Sequence, residues 1–160
     1  MSVRLIKDVS LEGIIPHLRQ MMQEGKLDPL VRRLAEEAIF AREDPVRGVY
    51  DWVREHLPYV SDPEPAELFI HPRRIAEDYY AGRARAGDCD DAALLVSAML
   101  GSIGYVSRIA LLATGDTQEI DHAVAEVFSP ELNSWLIIDP TAKSFPLGWI
   151  EASRRTIPVE

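Results

Sequence analysis

The sequence predicts an α+β domain, and three observations carry that reading. Apolar residues recur at helical spacing through the first half of the chain, behind Asp-Pro start signals. From Cys89 onward the chain is apolar around a whole helical circumference, the mark of a helix buried on all sides. The apolar period then falls to two, and three successive segments read as an antiparallel meander.

Taken in order, Ile14, Ile15, Leu18, Met21 and Met22 share one helical face, with Gly25 as the expected stop. Asp28 caps a second helix with Pro29 at its first position, and Leu30, Val31, Leu34, Ala35, Ala38 and Ile39 form its stripe to about Arg42. Asp44-Pro45 repeats the signal, and Val46, Val49, Val53 and Leu57 carry that helix to Pro58. Residues 61–65 are loop by composition. A short helix runs from Pro72 to Tyr80, ended by Gly82. The apolar helix covers residues 89–103, with Gly101 and Gly104 at its end. Strands follow over residues 105–114, 122–128 and 134–139, the last ended by Pro140. No pattern is firm beyond Thr141. We therefore expect one domain of 160 residues, with an N-terminal helical part (1–43), a core (44–141) and a tail (142–160).

A net charge of −9 argues against phosphate-backbone binding, and the basic pairs such as Arg32–Arg33 and Arg73–Arg74 sit among acids. The longest apolar run, 92–100, is too short to span a bilayer, and the N-terminus lacks a signal-peptide apolar core. The expectation is a cytoplasmic protein with no nucleic-acid or membrane partner. Cys89 is the only cysteine, so it is either a small buried hydrophobe or a nucleophile.

Its surroundings favour the nucleophile. Cys89 follows Gly87-Asp88 and begins the apolar helix, where unpaired N–H groups and the positive dipole end favour a thiolate. Asp90 and Asp91 suit the first helical turn but raise a thiol pKa, so a cationic partner is needed. His122, Val124, Glu126 and Phe128 share one strand face, and Trp135, Ile137 and Asp139 share one face of the next. A hairpin centred between Pro130 and Glu131 sets Glu126 opposite Trp135, Val124 opposite Ile137 and His122 opposite Asp139, with Cβ atoms roughly 4.5–5.5 Å apart. A one-residue slip would separate His122 from Asp139. Each residue has a structural explanation when taken alone. Together they read as nucleophile, base and orienting acid.

Gly87-Asp88-Cys89-Asp90-Asp91, Leu94-Leu95, Gly104-Tyr105, Arg108, the run 121–127 from Asp121-His122, Trp135 and Asp139-Pro140-Thr141 resemble, in order and spacing, the transglutaminase-like superfamily. The resemblance runs from about Asp44 to Thr141. The small size and the residues from Leu18 to Ala35 also resemble proteins of that type encoded beside phage and prophage structural genes, which would allow association with a virion. The superfamily implies a papain-like α+β fold with the cysteine opening a helix packed on a sheet. It implies acyl transfer from a protein or peptide substrate through a thioester on Cys89, with catalytic Cys89, His122 and Asp139, and release by water or an amine. The backbone N–H of Cys89 is the expected first oxyanion donor. Asp88, Tyr59 and Trp52 are further site candidates. No cofactor or calcium dependence is implied.

A zinc site would want several Cys or His ligands at short spacing, and one cysteine does not supply them. The remaining rival is a binding or structural module that keeps the fold without turnover. Residues 61–70 and 115–121 are the expected cleft walls. His17, His56 and His71 are expected at the surface or as caps, and Trp135 and Trp149 in the core.

Overall fold

The computed structural model describes residues 3–6, 10–63, 67–142 and 155–160. Strand β1 (Val3–Ile6) is followed by helices α1 (Leu11–Leu27), α2 (Pro29–Ile39) and α3 (Pro45–His56). Strand β2 (Glu67–Ile70) then leads into α4 (Pro72–Tyr80) and α5 (Cys89–Ser102). The C-terminal part contributes β3 (Ser107–Ala113), β4 (His122–Ser129), β5 (Ser134–Ile138) and β6 (Arg155–Val159). None of the described helices is long and apolar enough to cross a membrane.

The caps form where the sequence places them. Asp28 Oδ1 accepts the N–H groups of Leu30 and Val31, and Asp44 Oδ1 that of Arg47. His71 caps α4 through Nδ1, which accepts the Arg73 N–H, while its Nε2 meets Glu24 at 3.1 Å. Gly25, however, does not end α1. It lies inside the helix and buried, because α1 crosses α5 there so closely that a Cβ would stand 2.8 Å from that of Ala98. A Gly in mid-helix costs about 1 kcal/mol in propensity, and the close crossing offsets it.

Helix α5 is buried from Asp91 to Leu100, packed on α1, α2 and α3 and against one sheet face. The antiparallel sheet has the order β5-β4-β3-β6. Ile109, Leu111, Ala123, Ala125, Val127 and Ile138 face the helices, and Ala110, Leu112 and Val124 form a separate buried cluster with Ile137. Strands β1 and β2 pair as a second, two-stranded sheet.

Three strands depart from expectation. β1 lies in a segment read as helical, β2 in one read as loop, and β6 in the tail without a firm pattern. Each is four or five residues long and owes its pairing to a distant partner: Val3 faces Ile70, and Ile109 faces Val159. The β4–β5 register also differs by two residues from that expected. Phe128, not Glu126, faces Trp135, and Glu126 faces Ile137. A turn made of Pro130 and Glu131 alone would need a positive φ at its first position, which proline cannot adopt. The chain instead turns over residues 130–133, with Asn133 at φ 48°.

Glu126, expected beside Trp135, is buried and held by Arg108 Nε at 2.6 Å. The same guanidinium lies 3.8 Å from the Trp135 ring centroid. Trp149 lies outside the described residues.

Candidate active site

Cys89 is the first residue of α5, and the loop before it is clamped on both sides. Gly87 N–H donates to Pro58 O, and Val60 N–H donates to Gly87 O. Asp88 is the N-cap. Its Oδ1 accepts from the N–H groups of Asp90 and Asp91, while Asp91 Oδ2 accepts the Asp88 N–H. Asp91 Oδ1 also accepts the Ile70 N–H at 2.8 Å, tying β2 to the start of α5. This knot requires glycine at position 87, since a Cβ there would stand 2.7 Å from that of Asp91.

The other half of the site opens strand β4. His122 Nε2 and Asp139 Oδ2 are 2.7 Å apart. The two-residue register difference preserves strand parity, so the residues stay on one face and meet diagonally rather than opposite each other. Asp139 sits just past β5, and its other oxygen accepts two bonds from Thr141, the N–H at 3.0 Å and Oγ1 at 2.6 Å. Burial pushes the Asp139 carboxyl up, but the bonds from His122 and Thr141 outweigh it and hold the group below the usual carboxylate range.

Cys89 and His122 line the same cavity, of about 720 Å³. Strand alternation turns His122 away from the face that packs on α5. It reaches the cavity because it is the first residue of its strand, at the sheet end that closes over the start of α5. The backbone N–H of its neighbour Ala123 acts directly on the Cys89 sulfur.

The thiol itself is not poised as the helix terminus alone suggests. Burial raises its pKa, the charge of Asp90 adds to that, and only the Ala123 N–H opposes them. The carboxylates around it are crowded in turn. Asp88 is pushed up to about 6 by burial and the charge of Asp62, and Asp91 up to about 8 by burial and Asp88. Asp90 is raised well above the usual range, first by burial and then by Asp88. Asp62, Glu67 and Asp88 each bring one oxygen within 4.8 Å of the others, a spacing a hard cation could bridge.

The sequence candidates are unequally placed. Cys89, Asp88 and His122 line the cavity, Asp139 holds His122, and Tyr59 is half-exposed and bridged to Gly87. Trp52 is buried in the core, stacked on His56 at 4.7 Å and edge-on to Tyr79 at 5.1 Å. Gln118, Glu119, Ile120 and Asp121 form one cavity wall, as expected for the loop after β3, and Glu67 contributes to another. The bond from the Thr141 N–H to Asp139 had a sequence signal, since an Asp side chain commonly accepts the backbone N–H two residues on.

The family model of the transglutaminase-like superfamily matches residues 30–140, more than half of the chain and starting before the Asp44 of the sequence resemblance. Among solved structures, a candidate cysteine protease from Cytophaga hutchinsonii superposes with a TM-score of 0.54 at 21% identity, covering 87% of this chain and 49% of its own. The periplasmic domain of TgpA from Pseudomonas aeruginosa gives a TM-score of 0.50 at 22% identity, covering 76% of this chain and 49% of its own. The chain therefore spans about half the length of these neighbours. No curated protein is similar enough in sequence to count as a relative.

Proposed function

Because this chain belongs to the transglutaminase-like superfamily, we propose that it is a cysteine-dependent acyl-transfer enzyme with Cys89 as nucleophile, His122 as base and Asp139 as orienting acid. The observation that carries the reading is the bond between His122 Nε2 and Asp139 in the wall of the cavity that Cys89 also lines. That bond occupies Nε2 and leaves Nδ1 to take the thiol proton. Cys89 Sγ attacks an amide carbonyl as its proton passes to Nδ1, the C–N bond breaks, and the imidazolium protonates the departing amine. A thioester remains, and water or a second amine releases the acyl group. Asp139, held below the usual carboxylate range, stays ionised throughout and stabilises the imidazolium.

The developing oxyanion needs N–H donors. The Asp88 carboxylate takes the N–H groups of Asp90 and Asp91, and the Asp88 carbonyl takes that of Ala92. Among the described residues the N–H of Cys89 takes no part in this cap, and it is the donor offered to substrate.

The observation favouring a non-catalytic module is the raised thiol pKa. One experiment decides between the two readings. A peptide mixture is incubated with the protein and methylamine, and products are read by mass spectrometry. The enzymatic reading expects hydrolysed or methylamine-tagged amides and a transient acyl adduct on Cys89, all absent with Cys89→Ala. Products that persist in Cys89→Ala, or no products and no adduct, would reject it.

A further inference from the structure

Two cavities flank the first turn of α5, and their chemistry differs. The one beside Cys89 lies on the α1 side. Glu67, Asp88, Asp90, Glu119 and Asp121 line it, and among the described residues Arg155 is the guanidinium that faces them. The second, of about 320 Å³, lies on the α3 side and is walled by Val53, Leu57, Pro58, Tyr59, Ala92 and Pro140. Thr141 and Arg54 complete its rim. Arg54 is turned to the Tyr50 hydroxyl and the Ala142 carbonyl.

The apolar cavity is built from the segments that hold the candidate triad. Ala92 lies one turn after Cys89, Pro140 follows Asp139, and Pro58 accepts the N–H of Gly87. The two cavities thus adjoin the same short segment, residues 88–92 at the start of α5. Both volumes suit side chains rather than a folded domain. Within the chamber Glu67 disfavours ionisation of Asp88, both disfavour that of Asp90, and a bound ammonium or guanidinium relieves that repulsion.

Resting on the acyl-transfer reading, we propose that the substrate is a peptide segment that seats an apolar side chain in the α3-side cavity and a lysine or arginine side chain in the acidic chamber. The carbonyl attacked by Cys89 lies between them. Selectivity then has two independent parts: apolar burial on one side, and charge complementarity, weakened by salt, on the other.

Binding separates this inference from catalysis. Fluorescein-labelled pentapeptides carrying Leu and Lys on the two sides of a central amide, in both orders, are titrated against full-length Cys89→Ala by anisotropy. One order is expected to bind about tenfold or more tightly than its Lys→Glu and Leu→Gly counterparts. The charge preference is expected to shrink in high salt, and with Glu119→Lys, a change at an exposed position. Equal affinity for the Lys and Glu peptides, equal affinity for the Leu and Gly peptides, or no binding by any of them would overturn the proposal. Peptides that bind with the expected preference but never acylate wild-type Cys89 would support the two-sided cleft and reject the acyl-transfer reading alone.

Discussion

The two ends of the site contrast in how they handle charge. At the β4–β5 end it is matched: Asp139 receives His122 on one oxygen and Thr141 twice on the other, and its carboxyl is held low. At the α5 end it is crowded: Asp88, Asp90 and Asp91 stand within three residues of one another, and burial together with Asp90 holds the Cys89 thiol up. A helix N-terminus is commonly invoked to activate cysteine. Here the N–H groups of Asp90 and Asp91 serve the Asp88 cap, and the proposed reaction assigns activation to the imidazole across the cavity. On the proposed acyl-transfer reading, the matched end would supply the base, while the crowded end disfavours the thiolate.

The largest effect should come from breaking the matched end. Asp139→Ala frees the His122 ring, and acylation of Cys89 by a peptide electrophile should slow by roughly 10²–10⁴-fold, the usual worth of positioned acid–base catalysis. A loss below about threefold in stopped-flow acylation would remove Asp139 from the account. Thr141→Ala acts one step further out, as a change in a positioning residue. It should slow acylation about tenfold, and Thr141→Ser, which keeps the hydroxyl bonded to Asp139, should recover most of it.

The crowded end predicts the opposite sign. Asp90→Asn removes a charge that opposes thiolate formation once Asp90 is ionised, so iodoacetamide alkylation of Cys89 in alkaline solution should speed up a few-fold. Slower alkylation would show that the charge instead holds the imidazolium.

Stability should follow the same contrast. Asp88 and Asp91 bind protons more tightly folded than unfolded. Their stabilising contribution is complete below the unfolded value of 3.8 and is lost as pH rises through about 6 and about 8. Asp139 works in reverse: its contribution is present above the unfolded value and is lost as pH falls through its lowered folded one. Between about pH 4 and 8, therefore, the crowded end dominates, and the melting temperature by calorimetry should fall as pH rises. Asp90→Asn should flatten that slope, and a wild-type melting temperature rising with pH over this window would contradict it.

What the sequence disclosed followed the range of the forces involved. The α4 helix and the start of α5 are set by local signals, proline at the first position of one and the onset of the all-round apolar pattern at Cys89 in the other, and both appear where those signals lie. The pairing of His122 with Asp139 was legible from strand parity, although the register was off by two, because parity survives an even shift. Strands β1, β2 and β6 were not legible. Four or five residues carry too little period of their own when the pairing partner lies far along the chain. The raised thiol was half legible. The acidic neighbours were visible in Asp88-Cys89-Asp90-Asp91, but burial, the larger cause, belongs to the assembled cavity.

In the proposed reaction His122 activates Cys89. The direct measurement is the second-order rate of Cys89 alkylation by iodoacetamide across pH 5 to 9, in wild type and in His122→Ala. The wild-type protein should react selectively at Cys89 from near pH 6, and His122→Ala should lose that reaction until the solution is basic enough to ionise an unassisted buried thiol. Superimposable profiles for the two proteins would contradict the claim.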